Sequence, residues 1–212
     1  VAFAIAFVRG CDTAGFPPAF LAGGVYARCA MVMTLAIPIR ALCSVEGFIT
    51  TRHLQNTATV MLVTGLIVAD GYVTEAFIAW YSGDRYEGFV PMNRMFGPYA
   101  VYYWALILCN IVIPQLLWLK KVRTNVPALF IIALIVNVGM WLERFIIVVT
   151  SLHRDFLPSS WGNYAPTFWD WSTFVGTIGL FLALLFLFVR FLPMISIAEM
   201  RTILPEAKVG DE

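Results

Sequence analysis

Asn137-Val-Gly-Met-Trp-Leu-Glu143-Arg144-Phe-Ile-Ile-Val-Val-Thr-Ser-Leu-His153-Arg154-Asp155-Phe-Leu-Pro-Ser-Ser-Trp161-Gly162 is the most informative stretch of this chain. It opens inside an apolar run long enough to cross a bilayer, which takes about 20 residues. Within that run a glutamate and an arginine stand side by side, and the run ends in His153-Arg154-Asp155. Charge at membrane depth is costly and rarely faces lipid, so Glu143 and Arg144 are functional candidates. An ion pair that only fixes helix packing is the plain alternative.

Composition points the same way. The chain is 60% hydrophobic and 13% charged, far too little charge to clothe a water-soluble domain. It is therefore expected to be an all-α integral membrane protein, a transmembrane helical bundle. A formal net charge of +1 gives no indication of a nucleic-acid partner. Cys11, Cys29, Cys43 and Cys109 form no CxxC pair and no metal-ligand spacing. The two histidines, His53 and His153, fall in loops expected on opposite sides of the membrane, so no metal or haem site is predicted. Val1–Val8 starts inside apolar sequence with no initiator Met, which predicts the carboxy-terminal portion of a longer chain.

Working outward, five apolar runs predict about five spans in one transmembrane domain over 1–212. They cover about Ala19–Ala41, Thr57–Tyr81, Met95–Leu119, Val126–Thr150 and Ser172–Leu192. Pro38, Gly65, Gly71, Pro114 and Gly139 inside them are tolerable because neighbouring helices resatisfy the backbone. Arg40, Arg52, Lys120, Lys121, Arg123, Arg201 and Lys208 gather on one side, which the positive-inside rule makes cytoplasmic. The polar tail 193–212 is then cytoplasmic. Loop 151–171, rich in Pro, Trp and Tyr, is a structured external cap.

The remaining charges are unevenly spread. Asp70 lies near the middle of the second span, with Glu75 about 7–8 Å further out. Glu143 and Arg144 occupy the outer half of the fourth span, and Arg28 the middle of the first. The inner halves carry almost none, a pattern that points to a polar pocket or proton route opening outward. Side chains at adjacent positions leave a helix in different directions, so Glu143 and Arg144 need not pair. Asn137 and Arg144, seven apart, share a face. The alternative for the set is that Arg28 and Arg144 merely neutralise buried carboxylates.

Several motifs resemble a known family over nearly the whole chain. They are Phe16-Pro17-Pro18, Arg52-His53-Leu-Gln-Asn56, Glu75-Ala-Phe-Ile-Ala-Trp80-Tyr81-Ser82-Gly83 and Phe96-Gly97-Pro98-Tyr99. The most specific is Trp141-Leu-Glu143-Arg144-Phe with Thr150-Ser-Leu-His153-Arg154-Asp155-Phe-Leu-Pro158, followed by Val189-Arg190-Phe-Leu-Pro193. The chain resembles the NrfD/PsrC-type membrane subunits of quinol-linked oxidoreductases. Within them it is most similar to the ActC type of bacterial alternative complex III.

The resemblance implies a helical bundle in the bacterial cytoplasmic membrane, without a redox cofactor of its own, that binds menaquinol near the periplasmic side. It implies a periplasmic iron–sulfur subunit as electron acceptor, haem c subunits beyond it, a paralogous NrfD-like membrane subunit and a terminal oxidase as partners. A two-electron quinol releases two protons, so its site needs acceptors for the hydroxyls. Arg144 and Glu143 are the expected quinol-pocket residues, with Asp70, Glu75 and Arg28 as a proton relay. His153, Arg154, Asp155 and Asp12 are candidates for an external site or interface. The family's Trp-His before Thr is here Cys11-Asp12, and further site residues, a histidine and acidic groups, are expected upstream of Val1. A non-catalytic membrane anchor and a proton-conducting subunit are the alternative functions.

Overall fold

The computed structural model describes residues 16–42, 49–83, 85–154 and 158–191, without the side chains of residues 16–19, 86, 87, 151 and 160. Helices α1 (Phe16–Leu42), α2 (Thr51–Tyr81), α3 (Arg85–Phe96), α4 (Ala100–Ile107), α5 (Lys120–Thr124), α6 (Val126–His153) and α7 (Phe168–Phe191) follow in order. No strand occurs among the described residues. Among the described residues five helical stretches are long and apolar enough to cross a membrane: Phe20–Leu42, Thr51–Tyr81, Ala100–Trp118, Val126–Thr150 and Phe168–Phe191. The chain is the all-α polytopic membrane protein that its composition predicts. Val1–Val8, Cys11, Asp12, Cys43, Asp155 and the tail 193–212 lie outside the described residues. Those described form two compact units, one ending at Asn163 and one beginning at Tyr164.

Polar residues extend two helices at their starts. α2 starts at Thr51, a turn and a half before the apolar run; its N-cap, Thr50, makes no side-chain bond to the backbone, and Thr50 Oγ1 pairs instead with His53 Nδ1 at 2.8 Å across that first turn. α7 starts at Phe168, where Asp170 Oδ2 accepts from both the backbone N–H and the hydroxyl of Thr167 at 2.8 Å. The acidic group thus reaches back over the helix start, as in a capping box. The third span starts later than hydropathy predicts, at Ala100, because Pro98 disfavours helical geometry at the residue before it. Met95 and Phe96 instead end α3, a helix inside the connection that was expected to be a loop.

The core of the first unit lies between α1, α2 and α6. Tyr26, Ala30 and Met33 recur along α1 at helical spacing, and Leu129, Ile132, Ala133, Val136 and Met140 along α6. Small residues let these helices approach, as is usual where lipid gives no hydrophobic drive to association. Gly65 of α2 lies directly under the Tyr26 ring, where an added Cβ would stand 3.0 Å from it. A second cluster joins Leu106 of α4 to Leu142 and Ile146 of α6.

Pro114 explains the irregular stretch after α4. In a regular helix its N–H would bond the carbonyl of Asn110, four residues back; proline has no N–H, and its ring crowds that carbonyl. The helix widens into a π turn over Leu108–Val112 and tightens into a 3-10 stretch over Ile113–Trp118. The Asn110 carbonyl loses its usual donor, and the buried Tyr26 hydroxyl on α1 donates to it at 3.3 Å. Lipid holds no water to replace that bond. Tyr26→Phe is therefore expected to destabilise the protein by about 1–3 kcal/mol, the cost of a buried acceptor left bare. The measurement is the unfolding midpoint in detergent, and an unchanged midpoint would mean that the carbonyl has found another donor.

Candidate functional site

Tyr72 of α2, Asn110 of the π turn and Glu143 of α6 meet in the interior of the first unit. The Tyr72 hydroxyl donates to Glu143 Oε2 at 2.8 Å, and Asn110 Nδ2 donates to the Tyr72 oxygen at 3.4 Å. The same Nδ2 lies 3.5 Å from Met140 Sδ. Asn110 is brought this close by Gly139 on α6, where an added Cβ would overlap Asn110 Oδ1. Glu143 is only 7% exposed, so its carboxylate exchanges water for the tyrosine and its neighbours.

The other oxygen of Glu143 faces Arg144. Arg144 Nη1 stands 3.7 Å from Glu143 Oε1, near enough to attract but too far for a hydrogen bond. The guanidinium lies 3.9 Å above the centre of the Phe20 ring on α1, a cation–π contact. Arg144 Nη1 and Asn110 Oδ1 are both buried with no hydrogen-bond partner. Buried polar atoms in that condition are scarce in folded proteins and mark places that water or a ligand completes.

A second polar pair lies one turn along α2. Glu75 follows Tyr72 by three residues, which puts both on one face of the helix. Its Oε1 accepts from Arg94 Nη1 at 2.7 Å. Arg94 belongs to α3, yet it is only 6% exposed, and its Nε and Nη2 have no hydrogen-bond partner. Glu75 and Arg94 both act electrostatically on Glu143, and on Tyr103 of α4. Two ion pairs therefore share one polar interior, bounded by α2, α3, α4 and α6.

The residues expected from sequence distribute unevenly over this site. Glu143, Arg144 and Glu75 belong to it. Arg28 on α1 and Asp70 on α2 are exposed and do not join it. Asn137 and Arg144 both turn toward α1, Asn137 donating to Thr34 Oγ1 at 2.9 Å. His153 is buried at the end of α6, where Nδ1 is 2.8 Å from the Gly162 carbonyl and the ring meets Tyr99 edge-on. A carbonyl only accepts, so Nδ1 carries the proton, and the bond closes the loop after α6. Arg154 lies exposed over the Trp161 and Phe89 rings. Asp12 and Asp155 are outside the described residues.

Tyr72, Asn110 and Arg94 escaped the sequence reading. Tyrosine and asparagine in an apolar run carry no charge to flag them. Arg94 sits in what reads as a connecting loop, among the loop cations. One signal was available: a carboxylate in the outer half of a span needs a counter-charge, and Arg94 follows Glu75 by 19 residues across a short hairpin. Among the described residues no group of three or more His, Cys, Asp or Glu side chains is placed to hold a metal ion.

A polytopic helical bundle whose interior holds a buried carboxylate beside an arginine and a phenol, and a second, half-buried carboxylate paired with a buried arginine, defines a class: membrane proteins that handle a polar group or a proton within the bilayer. The family model described as polysulphide reductase, NrfD, matches residues 2–154, well over half of the 212-residue chain. The chain belongs to the NrfD family. Members are membrane subunits of quinol-linked oxidoreductase complexes and usually pair with an iron–sulfur subunit. Comparison with curated protein sequences finds no match.

Proposed function

We propose that this chain is the quinol-oxidising membrane subunit of a respiratory complex of the alternative complex III kind, with menaquinol bound near the periplasmic side. The observation that carries this is a buried carboxylate, Glu143, bonded to the Tyr72 hydroxyl and facing an arginine whose Nη1 has no hydrogen-bond partner. One hydroxyl of the quinol donates to Glu143 Oε1, and Arg144 Nη1 donates to the oxygen of that hydroxyl. Oxidation breaks two O–H bonds, releasing two electrons and two protons and leaving the quinone. The electrons leave to the clusters of a partner iron–sulfur subunit and then to haem c subunits. One proton passes to Glu143, a positioned carboxylate of the kind general-base catalysis needs, and the second, from the far hydroxyl, passes to Glu75. Glu75, one turn further along α2, is the next carboxylate on the way out. The carboxy terminus lies in the cytoplasm in this arrangement.

Arg144→Ala in the purified complex tests the reading. The expected result is a fall of about tenfold or more in kcat/KM for a menaquinol analogue, the loss of one charge-assisted hydrogen bond. A structure with a quinol-site inhibitor should show it within hydrogen-bond reach of Arg144. Normal turnover and affinity would take Arg144 out of the site and leave the chain a membrane anchor.

A further inference from the structure

Arg94 is the feature that this scheme does not use. A guanidinium presents its donors as a planar fork. Nη1 is spent on Glu75, while Nε and Nη2 have no hydrogen-bond partner, so the complete side-on edge of the fork is unpartnered inside the protein. Leaving two donors of a buried cation bare is expensive, and an acceptor completes the edge. Its chemistry can be narrowed. The Arg94 charge is already balanced by Glu75 at 2.7 Å, so a further anion would add surplus negative charge to a site that holds Glu143 as well. A neutral carbonyl oxygen satisfies both N–H groups without that cost.

Geometry indicates which carbonyl. Tyr72 and Glu75 lie on the same face of α2, one turn or about 5 Å apart. The Tyr72–Glu143 pair and the Glu75–Arg94 pair are therefore two polar stations set side by side. The two oxygens of a 1,4-quinone lie on opposite corners of one ring, so a single headgroup can reach two stations set side by side. We propose that the open edge of Arg94 holds the quinone oxygen para to the one at Glu143, so that the headgroup is gripped at both ends. This rests on the quinol-oxidising function proposed above and adds to it the group that orients the ring. α3 thereby becomes part of the binding site rather than a connection between spans.

The test uses the whole complex with Arg94→Lys, which keeps a charge for Glu75 and removes the planar edge. The affinity for a quinone-site inhibitor and the KM for a menaquinol analogue are expected to worsen about tenfold to a hundredfold, as for loss of a charge-assisted hydrogen bond. Infrared difference spectra of the bound quinone, isotopically labelled at each carbonyl in turn, give a readout that packing alone would not move. In the native complex the band of the carbonyl at Arg94 should be shifted down from its position in the free quinone, and in Arg94→Lys that shift should vanish while the carbonyl at Arg144 keeps its own. A native complex in which only one of the two labelled carbonyls is shifted would overturn the proposal even if the variant failed to assemble. So would unchanged affinity and spectra in an assembled variant, and in both cases the quinol-oxidising function stands. A native complex that neither oxidises menaquinol nor binds the inhibitor would instead overturn that function, and this proposal with it.

Discussion

A complex carrying Glu143→Gln should assemble with its full set of subunits and yet oxidise menaquinol about 10²–10⁴-fold more slowly, the range that a positioned proton acceptor commands. The amide has the shape of the acid and can still accept the Tyr72 hydrogen bond, now 2.8 Å long, through its carbonyl oxygen. What it cannot do is take a proton. Loss of the carboxylate also leaves Arg144 without its counter-charge, but that side chain is one-third exposed and rests on Phe20, so the cost to the fold is modest. Steady-state quinol oxidation, set beside the subunit content of the purified complex, separates the two effects. Wild-type rates would show that the proton leaves by another group.

The second large effect is expected at Gly139→Ala. The new methyl would overlap Asn110 Oδ1 and stand 2.8 Å from Cys109 Cβ, both within the π turn. Overpacking of this kind costs about 1–3 kcal/mol, since a packed interior has little room to yield. The displacement also has a chemical consequence: it drives the Asn110 amide off the Tyr72 oxygen and so loosens the phenol that holds Glu143. A lowered unfolding midpoint together with impaired quinol oxidation is the expected pair of results. Asn110→Ala placed on top of Gly139→Ala removes the overlapping oxygen and should recover part of the lost stability. Simple additivity of the two changes would mean that they do not meet.

The spans were legible because hydropathy is a property of local sequence, and Glu143, Arg144 and Glu75 were legible because charge within a span is rare enough to stand out. Everything that depends on how helices approach one another was not. Asp70 looks as promising as Glu75 on the sequence, and only the packing of α2 turns it to the surface while Glu75 meets Arg94. Tyr72 and Asn110 read as ordinary residues of apolar runs until α2 and the π turn close on α6. α3 was lost to the same cause: its buried arginine has a partner on another helix, and no window along the chain can see it.

The π turn has one consequence beyond its hydrogen bonds. Side chains advance by about 100° per residue in an α-helix, by less in a π turn and by about 120° in a 3-10 stretch. The tightened stretch Ile113–Trp118 therefore winds back most of the angle lost over Leu108–Val112. Leu106 before the irregularity clusters with Leu142 and Ile146 of α6, and Leu117 after it with Leu129 of the same helix. The widened turn thus opens the wall of the span locally, at the level of the Asn110 side-chain amide, and the span regains its facing beyond it.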